Sequence, residues 1–231
     1  MNAAVTTRRH VLSSLSRVTI DGFATTTTAA VAAAAGTSTA AERHRASPGV
    51  KGELFDVLFS DNGAVLKDAT LGFSMGSLEY AADQLGLSRA CCAAIKPADL
   101  VHEFNRRKLV ELGERFEGVG PQATMREGIR YGVRERLSLL EPFRATWASA
   151  LAAIASPEEV APTLRHVEQL TSALLTYAGD IPAADMTWYT KRMLLGGVIG
   201  LAEIQLASGE GSVEDILVFV ETSLDGLRTG L

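Results

Sequence analysis

Cysteine is nearly absent from this chain: two residues in 231, side by side at Cys91 and Cys92. Adjacent cysteines rarely bridge each other and one pair builds no disulfide framework, so the pattern suits a reducing compartment. Long apolar runs are missing as well. No eighteen consecutive apolar residues occur, which excludes a hydrophobic transmembrane helix. Alternating β-branched segments are scarce, which excludes a sheet-based fold. Histidine is limited to positions 10, 44, 102 and 166. No Glu-x-x-His pair is present for a di-iron carboxylate bundle, and no His-x-x-x-His or Cys-x-x-Cys spacing for zinc. Gly118-Val119-Gly120 has no strand before it and reads as a loop, not a dinucleotide-binding turn. His102 and His166 lie on amphipathic helices and read as surface or core-edge residues, and Cys91 and Cys92 as small packing residues. With no catalytic constellation and no cofactor motif, the chain is expected to be non-catalytic.

What is present divides unevenly. The first 45 residues carry Arg8, Arg9, Arg17, Arg43 and Arg45 against only Asp21 and Glu42, amid many Ser, Thr and Ala. An Arg-rich, Ser/Thr-rich, acid-poor leader predicts a mitochondrial transit peptide over residues 1–45, with a plain disordered tail as the simpler alternative. The whole chain has a net charge of −5; setting the leader's five arginines and two acids aside leaves 17 basic and 25 acidic residues, a net −8. An acidic body argues against unspecific nucleic-acid binding.

From about Lys51 onward the periodicity is helical, and the class is all-α, about nine helices in one bundle. Met125, Ile129, Val133, Leu137 and Leu140 recur at spacings of four and three. Pro121 suits the first turn of that helix, and Pro142 its end. Ser156 before Pro157-Glu158-Glu159 opens another helix with Val160, Leu164, Val167, Leu170 and Leu174 on one face. An almost wholly apolar helix runs from Trp188 to Leu206, and Ser212 caps a last one through Val213, Ile216, Leu217, Val220 and Leu224. Farther forward, 73–89 reads as helix, glycine turn, helix, with Gly86 in the left-handed position and Ser88 as the next cap. DNA recognition from that motif needs Arg, Lys, Asn or Gln on the second helix. Here that helix is Arg89-Ala90-Cys91-Cys92-Ala93-Ala94-Ile95, small and apolar, in a stretch (51–108) with seven basic and eight acidic residues.

Two features point to binding. At Tyr177-Ala178-Gly179-Asp180-Ile181-Pro182 a break separates two helices, and the second opens with Trp188 and Tyr189 adjacent, followed by Lys191 and Arg192. Adjacent residues on a helix diverge by about 100°, so one aromatic is expected outward, as part of a contact surface. Within that helix, Met193 to Ala202 is apolar all round and holds Gly196, Gly197 and Gly200. Either it is a central helix with close neighbours, the simpler reading on spacing, or the missing side chains leave an elongated apolar cavity for a lipid tail. In the second case Leu194, Gly197, Val198 and Leu201 face Leu137, Leu140, Phe143 and Trp147.

With those residues in view, 58–226 resembles the ubiquinone-biosynthesis accessory lipid-binding proteins, the ninth Coq protein family. The resemblance rests on Tyr-Ala-Gly-Asp at 177–180, on 185–192, and on the Gly-Phe-Ser to Gly-Leu-Ser segment at 72–88. It implies a TetR-repressor-like bundle with a degenerate helix-turn-helix at 51–116 and a ligand-binding and dimerisation bundle at 117–231. It further implies a homodimer on the matrix side of the mitochondrial inner membrane, in peripheral contact with it. Such a protein binds an isoprenoid ubiquinone precursor and presents it to the di-iron demethoxyubiquinone hydroxylase. The hydroxylase contacts carried over are Leu137, Leu174, Asp185, Trp188, Tyr189 and Arg192. Leu140, Phe143, Trp147, Leu194, Gly197, Val198 and Leu201 are the expected lipid-contacting set. The alternative is a TetR-type ligand-responsive repressor, and a plain structural dimer is a third reading.

Overall fold

The computed structural model describes residues 48–119, 122, 124–180 and 186–226. The transit-peptide expectation, Pro121 and Asp185 lie outside the described residues. Nine α-helices are present among them: α1 Pro48–Phe59, α2 Ala64–Lys67, α3 Met75–Gln84, α4 Pro97–Gly118, α5 Met125–Leu140, α6 Arg144–Ile154, α7 Val160–Tyr177, α8 Met186–Ser208 and α9 Val213–Gly226. The described residues contain no strand, in agreement with the all-α expectation.

Local chemistry sets the helix boundaries. Thr124 Oγ1 accepts from the Glu127 N–H at 3.2 Å and Glu127 Oε2 accepts from the Thr124 N–H at 3.0 Å, a reciprocal capping box that starts α5. Ser212 and Asp215 repeat the arrangement at α9, where Asp215 Oδ2 accepts from the Ser212 N–H at 2.7 Å. Pro142 stops α5 at Leu140 and sits in a 3-10 turn, Glu141–Phe143, that leads into α6. Gly86 takes φ +66°, the left-handed turn expected of it. Ser88 caps the next segment by accepting from the Ala90 N–H. The second helix of the expected helix-turn-helix is only a 3-10 segment, Arg89–Ala94. Its single cation is occupied: Arg89 reaches Asp83 at 2.6 Å and Glu79 at 3.5 Å.

α4 is the centre of the bundle and packs on α5, α6 and α7, while α8 packs on α6, α7 and α9. An aromatic knot fills the middle. Phe104 meets Phe143 at 4.8 Å and Phe73 at 5.1 Å between ring centroids, and Trp147 closes the group at 5.6 Å from Phe104. Edge-on contacts dominate there, as ring quadrupoles favour. Two glycines on α5 allow α7 to approach closely. A Cβ at Gly128 would lie 2.7 Å from the Ala178 Cα, and one at Gly132 would collide with Leu174. Across the other side of α5, Arg126, Arg130 and Arg134 pair with Asp225, Glu221 and Glu214 of α9. Such exposed pairs contribute about 0–1 kcal/mol each, so they fix the register of α9 more than its stability. The periodic face expected on α7 is only half buried: Leu170 and Leu174 are inside, but Val160 and Leu164 are exposed.

Candidate functional site

α8 has two apolar faces. Leu195, Val198, Ile199, Ala202 and Leu206 are buried against α6, α7 and α9, while Tyr189, Met193, Leu201 and Ile204 face outward. Tyr189 is 61% exposed and Leu201 54%. The glycines divide in the same way. A Cβ at Gly196 would lie 2.6 Å from Val167 Cγ1, whereas Gly197 and Gly200 have nothing within 4 Å. The close-neighbour reading therefore holds for Gly196. Gly197 and Leu201 are corrected: they point away from the interior and line no cavity opposite Trp147. Leu194 is half buried and Val198 buried. Leu140, Phe143 and Trp147 are packed into the core, Trp147 with no exposed surface.

The N-terminal turn of α8 is held from several sides. The Trp188 and Tyr189 rings meet edge-on at 4.6 Å, and the Arg192 guanidinium stacks 3.7 Å above the Trp188 ring. Arg192 donates from Nε to Ser172 Oγ at 3.0 Å and from Nη1 to the Trp188 carbonyl at 3.1 Å. Burial lowers its pKa from the ordinary value, opposed by Asp180 and Glu168. Lys191 reaches back to Asp180 at 2.8 Å, tying the start of α8 to the end of the preceding Gly-Asp turn. Trp188 is thus half buried under a cation, and Tyr189 is the outward aromatic, as the geometry of adjacent residues required. Leu137 and Leu174 do not share this surface. Both are fully buried in the α5–α7 seam, where the missing Gly132 side chain makes room for Leu174. Fully buried, they cannot touch a docked protein themselves.

One polar assembly went unforeseen. Arg136, 1% exposed, donates from Nε to Glu203 at 3.0 Å and from Nη2 to Asn105 at 2.8 Å, with its guanidinium 5.9 Å from the Trp147 ring. A buried ion pair of this kind is tolerated only when well bonded. Two signals stood in the sequence: Glu203 is the sole acid of α8, and Arg136 falls among the buried positions of α5. Nearby, burial, then Arg136, then His102 push the His166 pKa down to about 3 from 6.5. His102 shares a hydrogen bond with Glu159 at 2.9 Å. Clefts indent the surface of the described residues. One of about 560 Å³ is lined by Phe73, Met75, Lys96, Ala152 and Glu159, and one of about 250 Å³ by Phe59, Phe104, Arg107 and Phe143. Burial also drives the Cys92 thiol up to about 11, which keeps it protonated and unreactive. No helix of the described residues is long and apolar enough to cross a membrane.

The profile of the COQ9 family matches residues 160–229, which take in α7, α8 and α9. The chain is 25% identical over 176 residues to the mitochondrial ubiquinone biosynthesis protein COQ9 of Rattus norvegicus, covering 69% of this chain and 54% of that protein. It is 25% identical over 178 residues to the Bos taurus protein, covering 70% of this chain and 54% of the relative. With the Drosophila melanogaster protein it shares 32% identity over 72 residues, 31% of this chain and 22% of the relative. The chain spans about half the length of the rat and bovine relatives, 54% of each. Over its helical body, then, this chain is similar to the mitochondrial ubiquinone biosynthesis proteins named COQ9.

Proposed function

We propose that the chain is a non-catalytic accessory protein of ubiquinone biosynthesis in the mitochondrion, a COQ9-type protein acting on the matrix side of the inner membrane. It binds an isoprenoid quinone precursor and presents it to the di-iron demethoxyubiquinone hydroxylase. The observation that carries this reading is the outward face of α8. A helix apolar on both faces has one face without an intramolecular partner, and an aromatic anchor braced by a cation is the composition of an interface hot spot. Trp188 and Tyr189 make the hydroxylase contact, Arg192, itself only 7% exposed, holds Trp188 in place for it, and Asp185 is the residue the resemblance adds. Farther along, Leu201 and Ile204, spaced by Gly197 and Gly200, receive a second copy of the chain, which gives a homodimer. The parts at 51–116 and 117–231 serve as degenerate helix-turn-helix scaffold and as ligand-binding bundle. An apolar tail costs ~25 cal/mol per Å² to leave in water, which is the reason for a carrier.

Tyr189→Asp tests the docking face, because a residue so exposed changes without unfolding the chain. Loss of an anchor of this class is worth about 2 kcal/mol or more, roughly a thirty-fold weakening of hydroxylase binding in a pull-down or interferometry titration. Unchanged binding by the Tyr189→Asp variant, with its helical circular dichroism intact, refutes the docking role. Mass spectrometry of lipid extracted from the purified full chain tests the carrier role, and polyprenyl quinones or their phenolic precursors are the expected finding.

A further inference from the structure

Among the described residues, four polar atoms are sealed from solvent and have no hydrogen-bond partner: Arg136 Nη1, Trp147 Nε1, His166 Nε2 and Thr163 Oγ1. Isolated orphans of this kind are rare, because a buried donor or acceptor left unpaired forfeits its hydration for nothing. Their placement is not scattered. Arg136 lies 5.9 Å from the Trp147 ring, His166 is within electrostatic reach of Arg136, and Thr163 is one turn before His166 on α7. Arg136 Nη1 and Trp147 Nε1 can only donate, while neutral imidazole and hydroxyl can do either. The charge is already answered, since Glu203 sits 3.0 Å from the Arg136 guanidinium. What the assembly lacks is therefore not an anion but neutral oxygen acceptors.

The larger cleft ends at the same place. Phe73, on its floor, packs edge-on against Trp147 at 5.7 Å between centroids. Glu159, which also lines the cleft, shares a hydrogen bond with His102 at 2.9 Å. Phe73 thus touches both a cleft of about 560 Å³ and the indole that carries one of the orphan donors. A ligand that turned Phe73 aside would meet Trp147, with Arg136 beyond it at 5.9 Å from that ring.

We propose that Trp147, Arg136, His166 and Thr163 recognise the oxygen-bearing head of a neutral ring ligand, a quinone or phenol, entering through the Phe73–Glu159 cleft. The inference rests on the ubiquinone-precursor reading for the identity of the ring, and adds to it the residues that read the headgroup. Donors aimed at carbonyl or phenolic oxygens discriminate against a bare hydrocarbon, because without such oxygens they stay unpaired.

The chain has two tryptophans, so Trp188→Phe leaves Trp147 as the sole indole reporter in the full chain. A benzoquinone with a one-isoprene tail is titrated against its fluorescence, beside the ring-free isoprenyl alcohol. Saturable quenching by the quinone alone is expected, with affinity reduced at least tenfold by His166→Phe combined with Thr163→Val, variants whose fold is checked by circular dichroism. Equal response to the alcohol, or quinone affinity untouched by the double variant, overturns the headgroup site and leaves the orphan donors to buried water. Lipid extraction separates this from the reading beneath it. Quinones extracted with no Trp147 response sink the headgroup site alone. A Trp147 response with no lipid extracted sinks the carrier reading alone, and failure of both removes both.

Discussion

Lowering the pH from about 7 to about 5 should destabilise this protein through one residue, His166. In the folded chain its Nε2 is sealed without an acceptor, and burial, the Arg136 guanidinium and His102 hold its pKa down to about 3 against 6.5 ordinarily. The unfolded chain titrates near 6.5. Below that value it takes up a proton that the folded state refuses, so stability falls as pH falls from about 6.5 and keeps falling to about 3. Above 6.5 both states are neutral and no dependence remains. At about pH 5 the gap is roughly 1.5 pH units, and at about 1.4 kcal/mol per unit that is about 2 kcal/mol. Against a total of about 5–15 kcal/mol for a domain, this is easily measured. Carboxylates do not confuse the window. Asp68, Asp83 and Asp215 are lowered from 3.8 by their hydrogen bonds, Glu158 from 4.5 by Lys96, and Glu103 from 4.5, against its burial, by Arg106 and Arg107, so their contributions are lost mainly as pH falls below those values. Urea unfolding followed by circular dichroism at the two pH values, for the natural chain and for His166→Leu, gives the test. The natural chain should lose about 2 kcal/mol that the variant does not. Equal losses in both would show that His166 is neither buried nor neutral as described.

Glu203→Leu should cost about 3–5 kcal/mol by leaving the buried Arg136 uncompensated, and adding Arg136→Met should recover much of that loss. Urea midpoints of the two single variants and the double variant measure the coupling, and simple additivity would refute it. Gly128→Ala should destabilise by about 2 kcal/mol or more, because its Cβ would meet the Ala178 backbone at 2.7 Å. Gly113→Ala, in open space on α4, should stabilise by up to about 1 kcal/mol through helix propensity. Opposite signs in thermal melts are the expected outcome, and equal signs would mean that the α5–α7 approach is looser than the geometry states.

How much of this could be read from the sequence depended on whether local chemistry or tertiary packing decided the matter. Caps and turns are local: Gly86, Ser88, Pro142 and Ser212 behave as their side chains dictate. The period of α5 is also legible, since Ile129, Val133, Leu137 and Leu140 form one face and are buried, though Met125, expected on the same face, is 39% exposed at the helix start. The second helix of the expected helix-turn-helix shortened to a 3-10 segment because Pro97 restarts the chain soon after Ala94. Val160 and Leu164 share the expected face of Leu170 and Leu174, yet at that end the contact with α4 is made by Glu159, just before α7, which bonds His102, and Val160 and Leu164 are left exposed. Gly197 and Leu201 could not be assigned from periodicity at all. On a helix apolar all round, no polar face marks the outside, and only the packed positions of Gly196 and Val198 reveal which side is in.

That ambiguity is itself informative about α8. A helix with one buried face normally keeps its other face polar, since exposed apolar side chains gain nothing from folding. Here Tyr189, Met193, Leu201 and Ile204 recur along the outer side, while Glu203, the helix's sole acid, is drawn inside to meet Arg136. The polarity of α8 is thus inverted relative to an ordinary surface helix. Folding of the isolated chain explains the inner face and the ion pair, but not the outer stripe. Selection for solubility would remove such a stripe, so its presence calls for a covering partner. Substituting Leu201→Glu and Ile204→Glu together should leave the helical circular dichroism of the chain intact, since both side chains are exposed. The same pair should shift the molecular mass by light scattering from dimer to monomer. A chain already monomeric, or a dimer that survives both charges, would show that the outer face of α8 serves a different partner from a second copy.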